Sequence, residues 1–424
     1  MIIGIDASRA NRQHRSGTEW YSLYLIKEIA KIDSENQYIL YTDKPLENDL
    51  LNLIDDSIFI EQESDKNGYI KLKSPHNNFK AKILAWPFNF FWTQGRLSLE
   101  MLLHKPDVLF VPSHTLPILH PKNSVITIHD VGFERDHSIY KIHQIGPDRK
   151  KSKLLLNAIV KFMTSGQYGA NSLDYLTWST IYGLKNAKEI ITVSNFSADE
   201  MRDIYKNKVN SKIFEKISVV YNGYNSDKFK TGLATEKINT VLRKHNLKKP
   251  YIFYLGRIER KKNIPRLIEA FSEVVKKYPN IKLVLTGTAS FGYDEVKYLI
   301  SEFGLEENVI KTGWIEENDL PYLYAGAELF IFPSLYEGFG IPLIEAMACG
   351  TPVCCSNASA ITEIVDGAAH AFDALNQKDM SDKIIEILNN DELKKSLSDK
   401  GLERVKAFNW KLTATETLKV ITKK

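Results

Sequence analysis

The sequence predicts an α/β protein made of two Rossmann-like domains, and three observations carry this prediction. The chain has 424 residues, which is too long for one ordinary hydrophobic core. Its composition of 43% hydrophobic and 25% charged residues is typical of a folded, soluble protein. Short apolar runs alternate with amphipathic helical stretches from end to end, which is the pattern of βα units and parallel sheets.

The apolar runs predict strands in both halves of the chain. In the amino-terminal half they are Ile2–Ile5, Tyr38–Tyr41, Val108–Val111, Val125–Ile128, Glu189–Val193 and Ile217–Val220. In the carboxyl-terminal half, where the alternation is clearer, they are Tyr251–Leu255, Lys282–Thr286, Asn308–Lys311, Leu329–Phe332 and Val353–Cys355. Residues 230–250 contain Gly232, scattered lysines and little strand pattern. We therefore predict an amino-terminal domain of residues 1–235 and a second domain of residues 236–406.

Several classes of protein are excluded by simple features. The three cysteines lie within seven residues, 349–355, without CxxC spacing, so neither a disulfide framework nor a zinc site is expected. Met1–Asp6 is typical of a buried strand and not of a signal peptide. No apolar stretch approaches the roughly 20 residues that a spanning helix needs. We expect a cytoplasmic protein that does not cross a membrane.

Ligands of open α/β sheets bind beyond the carboxyl ends of the strands, so the loops there are candidate sites. The first is 256–263, which follows the strand ending at Leu255 and runs into a helix. Arg257 offers a planar fork of donors and Lys262 a compact charge, and with the amides of the helix terminus they suit a diphosphate. The alternative is an ordinary solvated basic loop.

The second candidate loop, 333–352, is rich in glycine and proline. Gly338 and Gly340 let the backbone approach a ligand closely, and Pro342 suits a first helical position. Gly350 ends the same helix. The pattern therefore predicts one short helix whose amino terminus points at the mouth of the sheet.

Two glutamates belong to this second loop and its helix. Glu337 and Glu345 are separated by seven residues, so they can address different parts of one extended ligand. Carboxylates suit vicinal hydroxyls, such as those of a hexose and of a ribose, because they accept hydrogen bonds in pairs. The alternative is that Glu345 stabilises a helix end and Glu337 is an ordinary loop acid.

A third loop carries His129, directly after a strand of the amino-terminal half. A lone histidine in this position is often structural, because imidazole caps loops readily. A catalytic role is the competing interpretation.

Together these segments resemble family 4 glycosyltransferases. EGFGIPLIEAMACGTPV, which contains Glu337 and Glu345, is similar to the E-x7-E motif of that family, and Gly256-Arg257 with Lys262-Asn263 is similar to its GR…K motif. Further similar segments are Val193-Ser194, Tyr221-Asn222-Gly223, Thr286-Gly287, Gly313-Trp314-Ile315 and Phe408-Asn409-Trp410-Lys411. The resemblance implies the GT-B fold, with two Rossmann-like domains facing across a cleft and a final helix, 407–424, returning to the amino-terminal domain.

The resemblance also implies roles for the candidate residues. Arg257 and Lys262 would neutralise the donor diphosphate, and Glu345 would hold the ribose. The donor hexose would be held by Glu337, Gly338, Phe339 and Gly340.

Two residues of the amino-terminal half gain a role in the same way. His129 would contact the transferring sugar, with Asp130 orienting its loop. Gly17 lies where the family has a glycine-rich turn beside the donor phosphates, although Thr18 and Glu19 replace smaller residues there.

The implied activity is a retaining hexosyltransferase that uses a GDP-linked or UDP-linked sugar and no other cofactor. No two aspartates in the chain are separated by one residue, so a metal-binding DxD motif is absent and metal independence is expected. The run 129–135 is similar to that of bacterial mannosyltransferases of surface-polysaccharide synthesis, which favours mannose. A sugar-nucleotide epimerase of the same fold would lack the paired glutamates, and a non-catalytic binding protein would be expected to lose His129 or Glu337.

The expected acceptor is a glycan or a lipid-linked sugar, since the Lys-x-Gly-Gly turn of starch and glycogen synthases is absent. Segment 78–104 combines Lys80, Lys82 and Arg96 with Trp86, Phe88, Phe90, Phe91 and Trp92. In segment 148–163, the mostly basic residues 148–153 lead into the apolar run 154–163. Both are typical of segments at a bilayer interface. We expect peripheral contact with the inner face of the membrane and no nucleic-acid partner. The alternative is that the aromatics are core and the lysines its solvated edge.

Overall fold

The computed structural model describes residues 1–55, 57–88, 90–140, 143–146 and 150–423. Its strands are β1 Ile2–Asp6, β2 Gln37–Thr42, β3 Tyr69–Lys71, β4 Phe79–Ile83, β5 Val108–Val111, β6 Ser124–Ile128, β7 Glu189–Thr192, β8 Ile217–Val219, β9 Tyr251–Leu255, β10 Lys282–Thr286, β11 Val309–Gly313, β12 Leu329–Phe332, β13 Val353–Ser356 and β14 His370–Phe372. Every strand predicted from the sequence is confirmed, with ends shifted by two residues at most.

Helices connect these strands. They are α1 Gly17–Ile32, α2 Asn48–Leu51, α3 Ser98–Leu103, α4 Lys150–Met163, α5 Ser172–Asn186, α6 Asn195–Tyr205, α7 Thr235–Lys244, α8 Ile264–Lys277, α9 Tyr293–Glu302, α10 Leu320–Gly326, α11 Ile341–Ala348, α12 Ile361–Val365, α13 Gln377–Asn389, α14 Asp391–Arg404 and α15 Trp410–Ile421. In the part of the chain that is described, none of them has the length and apolarity needed to cross a bilayer.

Two compact units result, each with its own sheet. The first unit comprises Met1–Glu134, Ile142–Tyr221 and Trp410–Lys424, and the second comprises Arg135–Lys141 and Asn222–Asn409.

The sheet of the first unit has the strand order β3-β4-β2-β1-β5-β6-β7-β8. Its pairings are parallel, except that β3 runs antiparallel to β4. Every residue of β5, β6 and β7 is buried, as expected for parallel strands that are covered on both faces. The final helix α15 packs on α1, where the Trp410 ring stacks on Tyr24 with 5.5 Å between the ring centroids.

Strand β4 lies within the segment interpreted from its composition as a bilayer-facing stretch. Phe79 and Ala81 point into the unit, and Lys80 and Lys82 alternate with them. The ammonium of Lys82 lies 2.5 Å from Oε1 of Glu100, a carboxylate that is only 2% exposed. Lys82 therefore neutralises a buried acid of its own unit, and the expectation that its charge serves contact with a bilayer is wrong.

The sheet of the second unit has the order β11-β10-β9-β12-β13-β14, and its pairings are all parallel. An aromatic cluster packs on one side of it. The ring of Tyr324 on α10 lies 5.1 Å from the rings of both Phe253 and Phe330, measured between centroids. This cluster holds α10 against the sheet and fixes the ring whose hydroxyl group enters the site described below.

Close backbone packing marks the carboxyl edge of the second sheet. The amide of Gly256, after β9, donates to the Thr286 carbonyl at 2.9 Å, and the amide of Gly287, after β10, donates to the Gly313 carbonyl at 2.9 Å. Gly287 has a φ of +137°, and a Cβ there would lie 2.0 Å from the carbonyl oxygen of Gly256. Only glycine fits this position, and the contact sets the path of the loop that begins at Gly256.

Replacing Gly287 with alanine is expected to destabilise the second unit by about 3 kcal/mol or more, because the Cβ overlaps a neighbouring carbonyl and φ is positive. Gly304 is the matched control, since its φ is +62° and a Cβ there would meet no atom within 4 Å. Gly304→Ala should cost only about 1 kcal/mol, the left-handed penalty alone. Chemical denaturation measures both, and equal losses would contradict the overlap.

Candidate active site

The loop after β9 carries the predicted diphosphate-binding cations. Arg257 is largely exposed, with 59% of its side chain accessible, and its guanidinium lies 3.5 Å from the Glu259 carboxylate. Lys262 ends a single 3-10 turn, Arg260–Lys262, that leads into α8. Asn263, the residue before α8, has a φ of 58° and gives the helix amides no side-chain cap. The N-cap residue therefore leaves the positive end of α8 without an acceptor from its own side chain.

Lys262 is the residue through which this loop meets the second candidate loop. Its ammonium forms an ion pair with Oε1 of Glu337, and both side chains are mostly buried. The same ammonium lies 5.5 Å from the centroid of the Phe332 ring, within the range of a cation–π contact. The structure therefore joins the two sequence motifs by a direct contact between a residue predicted to bind the diphosphate and a residue predicted to bind the hexose.

The backbone beside Glu337 is held by neighbouring loops. Its amide donates to Oγ of Ser359, after β13, at 2.9 Å. The amide of Leu335 donates to the carbonyl of Lys261 at 3.0 Å. Ser359 has a φ of 54°, an uncommon conformation for a residue with a side chain. Three loops at one edge of the sheet thus fix the position of Glu337.

Helix α11 begins directly after this loop, as the glycine and proline pattern predicts. Gly340 has a φ of 101° and precedes the helix, and Pro342 lies in the first turn. Gly340, as the N-cap residue, supplies no side-chain cap to the helix amides. The ring of Phe339 is buried against Phe408, with 5.6 Å between centroids, so Phe339 can offer a ligand only its backbone. Gly338 lies between Glu337 and Phe339 on the same loop.

Glu345 lies on α11 in a different environment from Glu337. The hydroxyl of Tyr324 donates to its Oε2 at 3.0 Å. Burial, assisted by the charge of Glu317, raises the pKa of Glu345 to about 8. The carboxyl group therefore holds its proton at neutral pH, unlike a carboxylate paired with a cation.

His129 follows β6 in the first unit. Its Nε2 lies 3.1 Å from the carbonyl oxygen of Pro112, so Nε2 carries the hydrogen and Nδ1 is the acceptor of the neutral ring. Burial lowers the pKa of His129 below its ordinary value, which keeps the ring neutral at pH 7. Asp130 accepts a hydrogen bond from the Gly132 amide at 3.1 Å, within the loop that follows His129. A neutral His129 can accept a hydrogen bond from a hydroxyl group at Nδ1.

Gly17 is the first residue of α1. Ser16 and Glu19 form a capping box at this terminus, with the Ser16 amide donating to the Glu19 carboxylate at 3.2 Å. A Cβ on Gly17 would meet no atom within 4 Å. Packing therefore does not require glycine at this position, and the predicted role of Gly17 depends on its backbone amide.

Comparison with known proteins decides the family. The sequence profile described as "Glycosyl transferases group 1" matches residues 238–404. O-antigen chain mannosyltransferase B of Escherichia coli is 32% identical over 336 residues, which is 76% of this chain and 82% of that protein. The chain belongs to the group 1 glycosyl transferases.

Two further matches extend this result. The N-acetylgalactosamine-N,N'-diacetylbacillosaminyl-diphospho-undecaprenol 4-alpha-N-acetylgalactosaminyltransferase of Campylobacter jejuni is 28% identical over 64% of this chain and 70% of that protein. The crystal structure of Anabaena Alr3699/HepE in complex with UDP and glucose superposes with a TM-score of 0.66 at 15% identity, covering 100% of this chain and 99% of that one. The predicted GT-B fold is confirmed.

As a group 1 glycosyl transferase, the chain is an enzyme, and the predicted retaining glycosyltransferase activity is confirmed at the level of the family. The epimerase alternative gains no support from these matches. Arg257, Lys262, Glu337 and Glu345 all lie in the part of this group 1 glycosyl transferase that the family profile matches.

Sequence reasoning missed two residues that hold the paired glutamates of this transferase. Ser359 binds the Glu337 amide, and Tyr324 binds the Glu345 carboxyl group. Ser359 follows a predicted strand, so its place at the carboxyl edge was a usable signal. Tyr324 belongs to no motif, and only the packing of α10 brings its hydroxyl group to Glu345.

The raised pKa of Glu345 predicts a specific dependence of stability on pH. The folded state releases this proton near pH 8, and the unfolded chain releases it near the ordinary value of 4.5. Between these values the folded state binds more protons, so the free energy of unfolding falls as the pH rises, by about 1.4 kcal/mol per pH unit. Glu345→Gln does not titrate and should lack this decline.

Denaturant titrations at pH 5.5, 6.5 and 7.5 measure the effect. The stability of Glu345→Gln relative to wild type should increase with pH. The exposed Glu306→Gln is the control and is expected to follow the wild-type curve. A difference between Glu345→Gln and wild type that does not change with pH would show that Glu345 is not held protonated.

Proposed function

We propose that this group 1 glycosyl transferase moves a hexose, with mannose favoured, from a nucleoside diphosphate sugar to a glycan or lipid-linked acceptor. The observation that carries the proposal is the contact between Lys262 and Glu337. It brings a candidate diphosphate-binding residue and a candidate hexose-binding residue to one edge of the second sheet. A sugar nucleotide has its diphosphate and its hexose adjacent, so one such donor can use both residues.

Arg257 and Lys262 act on the donor diphosphate. The exposed guanidinium of Arg257 is available to a ligand that enters from solvent. The uncapped amino termini of α8 and α11 add positive potential at the same edge. Stabilising the negative charge of the departing nucleoside diphosphate lowers the barrier to glycosyl transfer.

Glu337 and the backbone of Gly338, Phe339 and Gly340 hold the donor hexose. Glu345 holds the ribose, and its proton allows it to donate one hydrogen bond and accept another. Tyr324 keeps the Glu345 carboxyl group in place for this contact.

His129 and Gly17 complete the proposed set in the first unit. His129 accepts a hydrogen bond from a hydroxyl group of the transferring sugar at Nδ1, since Nε2 is committed to the Pro112 carbonyl. Gly17 offers its backbone amide to a donor phosphate. Both roles use uncharged groups, the neutral ring of His129 and the backbone amide of Gly17.

The choice of mannose rests on the relatives. The name of the 32% identical protein of Escherichia coli specifies an O-antigen chain mannosyltransferase. The name of the Campylobacter jejuni relative specifies an acceptor on diphospho-undecaprenol, which supports a lipid-linked acceptor. The complex of Alr3699/HepE with UDP and glucose makes a UDP-linked hexose the second candidate donor.

Arg257→Ala and Lys262→Met should each weaken the binding of GDP or UDP by about 1.5 to 3 kcal/mol, the typical value of a hydrogen bond to a charged group. In both variants, transfer from GDP-mannose should fall together with the affinity for the nucleotide. The wild-type enzyme should hydrolyse or transfer from GDP-mannose in preference to UDP-glucose. Calorimetry and a sugar-nucleotide turnover assay measure these effects. Lys276→Met, which removes an exposed lysine of α8, is the control. Unchanged nucleotide affinity in both site variants would refute the diphosphate assignment.

We also propose that the first unit docks on an anionic bilayer that carries the lipid-linked acceptor. Helix α4 turns apolar side chains outward, and Phe162 is 89% exposed. The α4 patch consists of Leu154, Ile159 and Phe162, with exposed Lys151 and Lys161 on the same helix. Apolar side chains beside lysines suit an interface of acyl chains and anionic headgroups. Arg149, from the predicted basic segment, lies outside the described residues.

Helix α3 carries a second outward patch. Glu100 faces the interior, and Leu102 on the opposite side is 62% exposed. The amide of Leu119 donates to Oγ of Ser98 at 3.3 Å, which brings the following loop beside the helix. The α3 patch consists of Leu99, Leu102, Leu103, Ile118 and Leu119. Because Lys82 is bound to Glu100, apolar contact replaces that lysine as the basis for docking.

Ile159→Ser with Phe162→Ser should lower binding to phosphatidylglycerol vesicles at low salt by about tenfold or more, since two large apolar side chains lose their burial. Liposome sedimentation measures it. Leu375→Ser removes an exposed leucine of the second unit and is the control. Wild-type protein that ignores anionic vesicles, or a double variant that binds as wild type does, would refute docking and leave the transferase assignment standing.

A further inference from the structure

The ion pair between Lys262 and Glu337 has a consequence for the order of events at the donor site. Only 16% of the Lys262 side chain and 12% of the Glu337 side chain are exposed. The Phe332 ring lies against the Lys262 ammonium. An anion that needs Lys262 therefore reaches an ammonium already neutralised by a carboxylate, in a place where water screens charge poorly.

We propose that Glu337 competes with the donor diphosphate for Lys262. A bare nucleoside diphosphate therefore binds weakly, and Lys262 is fully released from Glu337 only when an intact sugar nucleotide binds. This inference rests on the proposed function. It gives Glu337 a second role, selection of the donor and expulsion of the product, besides its contact with the hexose.

The physical reason is the fate of the carboxylate. When a diphosphate takes Lys262, Glu337 loses its cation and remains near a second negative group. A mostly buried carboxylate without a partner is costly. The hydroxyl groups of a donor hexose supply hydrogen bonds to it, and a nucleoside diphosphate alone does not.

The backbone around the pair limits how the site can respond. Ser359 holds the Glu337 amide, and Lys261 holds the Leu335 amide through its carbonyl. The loop therefore cannot move the carboxylate away without breaking these hydrogen bonds. Exchange of partners takes place by rotation of the Glu337 and Lys262 side chains.

Product release follows from the same exchange. After transfer, the hexose has left and its hydroxyl groups no longer satisfy Glu337. The carboxylate then returns to Lys262 and displaces the nucleoside diphosphate. The ion pair of the free enzyme is thus the state that the cycle restores.

The experiment is calorimetric titration of GDP and UDP into wild-type protein, Glu337→Gln, Lys262→Met and the double variant. Glu337→Gln keeps the size of the side chain and removes its charge. It should bind the nucleoside diphosphate about tenfold more tightly than wild type does. In the Lys262→Met background the same change should have little effect, because the competition requires the lysine. The turnover of the Glu337→Gln variant with a sugar nucleotide should fall, and the nucleoside diphosphate should inhibit this variant more strongly than it inhibits wild type.

Glu328→Gln is the matched control. It removes a carboxylate that pairs with Lys394 at 3.0 Å, at the start of β12 and away from the carboxyl edge. Its nucleotide affinity should equal that of wild type. Thermal melts confirm that each variant is folded.

The outcomes distinguish the competition for Lys262 from the existence of the donor site. If Lys262→Met weakens nucleotide binding but Glu337→Gln does not strengthen it, competition is refuted and the donor site stands. An equal gain from Glu337→Gln with and without Lys262 would also refute it, because the effect would be general repulsion. If wild type and Glu337→Gln bind neither nucleotide, the proposed donor site itself falls.

Discussion

Parallel pairing of the strands in the second sheet is the constraint on which the site depends. It sends the loops after β9, β10, β12 and β13 to one edge, where their backbones hydrogen-bond to one another. The Arg260 amide donates to the Phe291 carbonyl at 2.8 Å, and the Leu335 amide to the Lys261 carbonyl at 3.0 Å. Through these bonds Lys262 and Glu337, 75 positions apart in the chain, reach one place. The close approach of Gly287 to Gly256 is part of the same arrangement.

The elements that the sequence predicts well are those whose burial is complete. β9, β12 and β13 consist almost wholly of buried residues, so continuous apolar runs reveal them. β3, β4 and β14 were missed for the opposite reason. β3 and β14 are short and include a polar or charged residue, Lys71 and His370 respectively, and β4 alternates lysines with apolar residues. Composition alone made that alternation resemble a bilayer segment, because the partner of Lys82 lies 18 positions away.

The chemistry of the candidate site was predictable as a set of residue types and not as a set of contacts. Glycines, prolines and paired glutamates at fixed spacing identify the loop before α11 from sequence alone. Nothing in the sequence pairs Lys262 with Glu337, or assigns Ser359 and Tyr324 to the two glutamates. These contacts depend on how the loops and α10 pack. The tautomer of His129 likewise follows from a backbone carbonyl, that of Pro112, which no side-chain pattern specifies.

The two glutamates of the E-x7-E motif have different electrostatic environments. This difference limits the negative charge at the edge of the sheet where we propose that a phosphate-bearing ligand binds. Glu337 is balanced by the ammonium of Lys262. Glu345 accepts a hydrogen bond from the hydroxyl of Tyr324, and burial, assisted by the charge of Glu317, raises its pKa and leaves it neutral at pH 7. Two uncompensated carboxylates at this edge would repel a diphosphate, whereas one ion pair and one neutral acid do not. Arg257 lies 3.5 Å from the buried Glu259 carboxylate, but 59% of its own side chain is exposed, so in the proposed function it is the positive group that a diphosphate from solvent reaches first. In the cycle that we propose, attraction at the surface thus precedes exchange of partners within the site.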